Sequence, residues 1–519
     1  MASELARRIS RGVKATFAAS VVDMLANAAL IVLLTRVLLT PEEYGTLNFV
    51  LAALSVVAIL ASLGPPKSAG RYVTEFAETR PGLVPTVVRR SFAFIAVLSI
   101  VVGLGLVVLG RPVAGLIGQE QLIPFLAIGA VYIVGVAMTQ YTRELLRAFN
   151  RIEWSGVVRV VMGVGRVTFV VAFVALGFGV SGALAGYVAG YLVAALVGGW
   201  LLYARLYRRY DSGEALRGSE DGSTDVTDST DATDATDVDD PDEDTAGISR
   251  RIIEYSVPLT ATRGANVLDK RIDMVLVGMF LGPAAVGYYT IAKQVSEFGS
   301  IPAQSLGYTI SPTVGEQSAK DDRGRARRVY ETSLRYVLLL YLPGMVGLVL
   351  VADPVVTHIF GTEYGGAAPV VQVMAGFMLV NAVNKVTSDG LDFLGRARER
   401  AIVKTAAAVA NFLLNLLLIP WIGVIGAAIA TVVTYTIYTV ANVYIIHTEL
   451  TLDVEAIGRL LVGVGVITAV MAVVVRALIP MVSGLVSLLL VVGVGVAVWA
   501  ALATVGGLLD VRRIRAVLI

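Results

Sequence analysis

Three observations predict an all-α polytopic membrane protein. The chain contains about fourteen apolar runs of roughly 20 residues, the length that crosses a ~30 Å hydrocarbon core as a helix. Only 16% of its residues are charged, and its two halves repeat each other. Soluble domains carry about 25% charged residues, so composition excludes a soluble enzyme. There is no cysteine, and the histidines are His358 and His447 alone. Disulfides, cysteine nucleophiles and Cys- or His-based metal sites are therefore not expected. No catalytic residue, cofactor or resident metal is predicted.

The first run, about 15 to 39, follows Arg7, Arg8, Arg11 and Lys14. It is too long for a signal-peptide core and lacks a small-residue cleavage site, so it is read as the first helix. Further spans are expected at 43 to 64, 85 to 109, 121 to 142, 155 to 177, 180 to 204, 253 to 280, 284 to 308, 330 to 351, 366 to 391, 401 to 419, 424 to 446, 457 to 478 and 482 to 507. With the N-terminus inside, alternation puts about 31 of the 42 Lys and Arg in or beside cytoplasmic segments, the bias of the positive-inside rule. Inner clusters then run from Lys67 to Arg90, Arg143 to Arg151, Arg205 to Arg209, Lys320 to Arg328, Arg396 to Lys404 and Arg512 to Arg515. Arg36, Arg111 and Arg476 fall near the outer surface. Both termini are expected in the cytoplasm.

One soluble stretch interrupts the spans. From Asp211 to Ile248 it sets 14 acids against Arg217 alone, and such a sequence buries too little apolar area to offset its ordering entropy. It is expected to be a disordered cytoplasmic linker; Asp237 to Asp239 within it reads as low-complexity sequence, not a metal–nucleotide motif. The predicted domains are a six-helix lobe at 1–210, the acidic linker at 211–249, a second six-helix lobe at 250–450 and two additional helices at 451–519. The lobes repeat at an offset of about 242 to 245. Pro41 and Gly45 match Pro283 and Gly287; Ser62, Leu63 and Gly64 match Ser305, Leu306 and Gly307; Arg151 matches Arg396; Gly179 and Gly182 match Gly423 and Gly426. An even number of spans per copy gives both the same orientation, with a cleft between them as the natural substrate path.

This arrangement, with IFGTEYGGAAPVV at Ile359 to Val371 and NFLLNLLLIPWIGVIGAAIAT at Asn411 to Thr431, resembles the polysaccharide-transporter branch of the multidrug/oligosaccharidyl-lipid/polysaccharide exporter superfamily. The resemblance implies two lobes with a central cleft. It also implies a flippase that moves lipid-linked glycan precursors from the cytoplasmic to the outer leaflet of the cell membrane. Its expected partners are a polyprenyl- or dolichyl-phosphate-linked glycan, the bilayer and glycan-biosynthesis enzymes, with H+ or Na+ as a coupling ion and no nucleic acid. With the acid-rich linker, which suits a high-salt cytoplasm, it points to a haloarchaeal source.

Ionisable residues inside spans are expensive and face protein or water, so their placement nominates the site. Thr16, Ser20, Asp23 and Asn27 form a polar stripe about 60 degrees wide on the first span, and Arg263, Asn266, Lys270 and Asp273 one of about 80 degrees on the seventh. Arg159 and Arg166 on the fifth span are matched by Lys404 and Asn411, with Asn415 a turn on, while Tyr289, Lys293 and Glu297 align on the eighth and Lys385 with Asp389 on the tenth. Arg166, Arg263, Asn266, Lys270, Lys293, Tyr289, Arg159 and Lys385 are the candidates for a cleft that compensates a phosphate or pyrophosphate. Tyr288, Tyr289 and Trp154 are candidates to stack on sugars. Asp23, Asn27 and Asp273 are candidates for ion coupling.

Structural readings stand beside these. Lys270 with Asp273 and Lys293 with Glu297 have the spacing of intrahelical ion pairs. Arg159 and Lys404 can anchor at the inner surface, and Asp23 with Asn27 can serve interhelical hydrogen bonding. Pro258 and Pro302 mark possible hinges of an alternating-access cycle. The alternative function is an ion-coupled multidrug or organic-cation antiporter, which would use Asp23 but would find the many bases repulsive. A membrane glycosyltransferase is a remote one, since the predicted outer loops are too short for a catalytic region. No GxxxxGK[ST] sequence is present, so ATP hydrolysis is not expected.

Overall fold

The computed structural model describes residues 21–62, 64–116, 118–207, 241–303 and 323–509, with backbone alone at 65, 116, 205, 206, 241–249, 251, 261–263 and 393. Thr16, Ser20, the linker up to 240, Ser305 to Gly307, Lys320, Arg512 to Arg515 and the Arg263 side chain lie outside it. Among the described residues there is no strand.

Two compact units emerge, one formed by Met1–Leu39 and Phe49–Ile272, the other by Thr40–Asn48 and Asp273–Ile519. Unit 1 is built from α1 (Val21–Leu38), the later part of α2 (Pro41–Val57), α3 (Ile59–Ser62), α4 (Pro65–Thr79), α5 (Val84–Leu116), α6 (Leu126–Ala148), α7 (Ile152–Phe173), α8 (Gly179–Leu202) and α9 (Pro241–Leu281) as far as Ile272. Helix α6 packs on α4, α5 and α8, and α7 lies along α8. Val73, Val87, Ile95, Leu145, Val158 and Ala194 fill the core between them. Tyr141 is fully buried there, and its hydroxyl donates to the Val88 carbonyl at 2.8 Å, which satisfies the phenol in an apolar interior.

Unit 2 begins with Thr40–Asn48 and the end of α9, then α10 (Pro283–Gly299), α11 (Arg323–Val355), α12 (Ala368–Phe393), α13 (Ala397–Ile422), α14 (Val424–Leu450), α15 (Val454–Leu478) and α16 (Leu485–Val505). Helix α12 is central, packed on α10, α11 and α14, with α13 against α14. The last two helices attach through α11: α15 packs on α11, and α16 on both. Met471, Val475, Leu488 and Val491 form their shared core with Val351.

Outward, the helices are apolar. Val101, Leu104 and Val108 on α5, Leu413 and Leu417 on α13, Val462 and Val466 on α15 and Leu489 and Leu490 on α16 are all exposed, a surface only a bilayer tolerates. The chain is a multi-pass membrane protein. Ten helical stretches among the described residues are long and apolar enough to cross, or 11 with α2 and the following helix counted as one span bent by 50°. The shortfall against about fourteen has physical causes. Ile152–Leu202 is one stretch by that measure, although Gly177 (φ 89°) and Gly179 (φ 52°) turn the chain between α7 and α8. Helix α9 carries Asp269, Lys270, Arg271 and Asp273 within five residues, too much charge to register as apolar, and α10 is 17 residues long.

The repeat is visible in backbone geometry. Gly179 (φ 52°, ψ −135°) opens α8, and its counterpart Gly423 (φ 67°, ψ −150°) precedes α14. Only glycine enters that region without strain. One turn on, a Cβ at Gly182 would lie 3.0 Å from the Phe173 carbonyl oxygen, and at Gly426 2.3 Å from that of Leu418, so both hairpins close through the same two glycines. Of the hinge candidates, Pro258 sits inside α9 without interrupting it, whereas Pro302 follows the turn at Ser300 that ends α10.

Candidate functional site

In unit 1 the site is built on α7. Small residues on α8 and on α7 itself allow it to form: a Cβ at Gly190 of α8 would lie 2.8 Å from the Arg166 Cα, one at Gly186 of α8 2.5 Å from the Val170 Cα, and one at Gly163 of α7 2.8 Å from Asp23 Oδ1. The backbones of α7 and α8 therefore approach closely, as small residues permit in membranes, and the Asp23 carboxylate of α1 rests against α7 where a side chain is missing. Arg166 Nη2 donates to Asn27 Oδ1 at 3.3 Å and lies 3.9 Å from Asp23 Oδ1. Its guanidinium carbon stands 5.3 Å from the centre of the Tyr187 ring, within cation–π range. Only 12% of the Arg166 side chain is exposed. Its Nε is buried without a hydrogen-bond partner among the described residues.

Around this arginine α6 and α8 contribute phenols. Tyr132 and Tyr191 meet edge to face with centroids 5.4 Å apart, and Arg271 of α9 lies close enough to Tyr132 and Tyr187 to act on both electrostatically. Asn266 and Lys270 occupy exposed positions of α9 in the same unit. Arg159, two turns before Arg166, is half-buried and within electrostatic reach of Arg143. Trp154 carries the Arg151 guanidinium 5.3 Å above its ring.

Unit 2 holds a different polar centre. Asp273, 2% exposed, accepts from Asn415 Nδ2 at 2.8 Å on Oδ1, and from the Tyr289 and Thr431 hydroxyls at 2.9 and 3.2 Å on Oδ2. Asn415 Nδ2 also donates to Asn411 Oδ1 at 3.0 Å, and Asn411 Nδ2 to Thr434 Oγ1 at 3.3 Å. Asn415 is fully buried, and its Oδ1 has no hydrogen-bond partner among the described residues. Lys293, buried one turn from Tyr289, has its ammonium 5.9 Å from that ring's centre. The Tyr289 ring has no exposed face, so it serves as a ligand to Asp273 and offers no platform to a sugar; Tyr288 is occupied with Gly366, where a Cβ would lie 2.7 Å from its ring.

The two centres share one aligned position. At an offset of 245 Arg166 falls on Asn411, and each unit joins its first helix to its fifth, α1 to α7 and α9 to α13. Unit 1 sets a cation on the fifth helix against an acid on the first; unit 2 faces an acid on α9 with the Asn415 amide and two hydroxyls. Lys385 joins neither: it is 40% exposed and pairs with Asp389 at 3.1 Å, an i, i+4 surface bridge. Among the described residues no group of three or more His, Asp or Glu converges.

Sequence reasoning missed several participants. Tyr187 and Tyr191 were detectable as two phenols four apart on one face of α8, and Thr431 lies inside the GAAIAT motif, where a hydroxyl reads as ordinary helix packing. Asn442, which donates to Asn384 Oδ1 at 2.9 Å between α14 and α12, gave only the signal of an amide inside an apolar span.

A family model described as polysaccharide biosynthesis protein matches residues 9–315, more than half of the chain, and one described as MatE matches 258–417. Among curated proteins, the probable low-salt glycan biosynthesis flippase Agl15 of Haloferax volcanii is 26% identical over 196 residues, 38% of this chain and 42% of that protein. The probable flippase AglR of the same organism is 27% identical over 205 residues, 38% of this chain and 43% of that one. The chain thus spans about two-fifths of the length of these relatives. Among solved structures, the lipid II flippase MurJ in an inward closed conformation matches with a TM-score of 0.68 at 14% identity, covering 95% of this chain and 98% of that one. An inward-facing multidrug resistance MATE family transporter of the MOP superfamily matches with a TM-score of 0.64 at 14% identity, over 83% and 94%. At that identity the likeness speaks for the fold.

Proposed function

This chain belongs to the polysaccharide biosynthesis protein family, and on that premise we propose that it is a flippase for lipid-linked oligosaccharide or polysaccharide precursors, working by alternating access and performing no covalent chemistry. The Haloferax relatives are named as flippases, one of them for glycan biosynthesis, and that is the ground for the substrate class. The observation that carries the reading is Arg166. A guanidinium inside a membrane span, ringed by Tyr187, Asn27 and Asp23 and retaining an unpaired Nε, suits a polyprenyl- or dolichyl-linked phosphate that must leave the headgroup layer. Lys270, Asn266, Arg263 and Arg159 are proposed as further polar lining of the path, and the basic clusters favour cytoplasmic termini and linker.

Asp273 is proposed as the seat of a coupling cation, H+ or Na+. A hard monovalent cation needs oxygens, and Asp273 Oδ1 and Oδ2, Thr431 Oγ1, Asn411 Oδ1 and the orphaned Asn415 Oδ1 supply them. Asp23 is the alternative seat, already engaged by Arg166.

The test is translocation of a labelled polyprenyl-pyrophosphate oligosaccharide in proteoliposomes, with and without a Na+ or proton gradient. Wild type should move the glycan, Arg166→Ala should abolish movement, and Asp273→Asn should remove its response to the gradient. A well-folded wild type that fails to move the glycan yet exchanges an organic cation for protons would overturn the reading in favour of the antiporter.

A further inference from the structure

A pocket of about 540 Å³ lies in unit 2 apart from the Asp273 centre, where the start of α11, the start of α15 and the residues following α16 meet. Arg328, Thr332, Arg335 and Arg459 line its polar side, and Ile457, Leu460 and Leu508 its apolar side. Three stretches that cross the bilayer begin or end here, Arg323–Phe360, Val454–Met481 and Leu485–Val505. The pocket therefore sits at the boundary between hydrocarbon and water.

The charges do not cancel within it. Glu331 receives Arg327 Nε at 2.8 Å and the Asp453 backbone N–H at 2.8 Å. Asp453 caps α15 by accepting from the Ala456 N–H at 2.9 Å and stands 3.9 Å from Arg327. The acids are thus committed to Arg327 and to backbone donors. Arg335 spends one Nη2 bond on the Leu508 carbonyl at 3.0 Å, a neutral acceptor, and Arg328 has no ion-pair partner among the described residues. Arg459 faces Glu455 at 3.7 Å with both side chains largely in solvent, 73% and 83% exposed, an arrangement worth little by itself.

We propose that this pocket binds the phosphate headgroup of an anionic membrane phospholipid, with Arg328 and Arg335 as its principal donors, Arg459 at its rim, and the first acyl carbons lying on Ile457, Leu460 and Leu508. Guanidinium forks match phosphate oxygens, and basic pockets between transmembrane helices take anionic headgroups. A soluble phosphate would use the same forks but gain nothing from the apolar side, which is why the lipid is the occupant. The bound lipid would fasten the two last helices to α11, since the pocket is made from all three elements.

The test is native mass spectrometry of the purified chain titrated with phosphatidylglycerol, with phosphatidylcholine of the same acyl chains and with inorganic phosphate. Wild type should retain phosphatidylglycerol in preference to phosphatidylcholine. Each guanidinium removed should weaken it about five-fold, and Arg328→Ala with Arg335→Ala roughly 25-fold. Arg476→Ala, at the opposite end of α15, should leave binding unchanged, and the Arg328→Lys, Arg335→Lys variant should keep the preference for phosphatidylglycerol, separating headgroup recognition from loss of fold. Equal retention of the two lipids, wild-type binding by the alanine variant, or displacement of phosphatidylglycerol by millimolar phosphate would each overturn the proposal.

Discussion

Removing Asp273 should destabilise unit 2 less than removing the neutral Asn415 beside it. After Asp273→Ala every donor that faced the carboxylate keeps another acceptor: Asn415 Nδ2 retains Asn411 Oδ1 at 3.0 Å, the Thr431 hydroxyl retains the Ala427 carbonyl at 3.0 Å, and the Tyr289 hydroxyl retains Thr431 Oγ1 at 3.1 Å. Three polar contacts inside a membrane protein, at about 0.6 kcal/mol each, sum to about 2 kcal/mol. Part of that is returned because a buried charge no longer has to be desolvated. Asn415→Ala does the opposite. It leaves the carboxylate in place, still held on Oδ2 by Tyr289 and Thr431, but strips Oδ1 of its donor, and a buried charged acceptor left unsatisfied costs about 3 kcal/mol or more.

The double variant, with no charge to satisfy, should fall back close to Asp273→Ala alone, so the two substitutions should be non-additive by more than 1 kcal/mol. The native chain has no cysteine, so two engineered cysteines in α12 and α14 can be biotinylated uniquely, and steric trapping then reads the free energy of separating them. Additive losses, or a larger loss for Asp273→Ala than for Asn415→Ala, would refute the reasoning.

Three further outcomes are expected. Gly190→Val should lower the melting temperature and abolish glycan translocation, because its Cβ meets the Arg166 backbone at 2.8 Å and overpacking costs about 1–3 kcal/mol; Gly199→Val, on the same helix with nothing within 4 Å, should be close to neutral in the same melt. Gly179→Ala and Gly423→Ala should each destabilise by about 1 kcal/mol or more, and by similar amounts, since the two share one backbone conformation; a loss confined to one of them in thermal unfolding would break the structural equivalence. Arg166→Lys should reduce translocation several-fold while leaving the melt near wild type, because an ammonium keeps the charge without the planar fork; full activity would remove the fork from the mechanism.

What the chain disclosed in sequence follows from how its physics repeats. Apolar length announces a membrane helix, and that signal is additive, so α5, α11 and α15 were legible at once. It fails where charge interrupts the apolar run: α9 carries the stripe that nominated Asn266, Lys270 and Asp273, and the same residues make it the helix least recognisable as a span. The glycine pairs were legible as a repeat of 244, but what Gly179 and Gly423 do, turning the chain at positive φ, is a property of backbone angles that spacing does not contain.

Partners across helices are another matter, because periodicity reports which residues share a face and is silent on what that face meets. Asp23, Asn27 and Arg166 were nominated separately, on α1 and α7; their meeting depends on Gly163 having no side chain. Asp273 and Lys270 were spaced as an intrahelical pair, yet Asp273 turns to Asn415, Tyr289 and Thr431 on three other helices. The repeat aligns 166 with 411, with a guanidinium on one fifth helix set against Asn27 and Asp23 of α1, and on the other an amide bonded to Asn415 and Thr434. A guanidinium at 411 would put a bulky cation where a buried amide now bonds Asn415 and Thr434, and an amide at 166 would take away the guanidinium that stands 3.9 Å from Asp23. Exchanging the two residues in one chain, Arg166→Asn with Asn411→Arg, should therefore destabilise both units and abolish translocation even though composition and net charge are unchanged, and a swapped chain that melts and transports like wild type would show that the two centres are interchangeable.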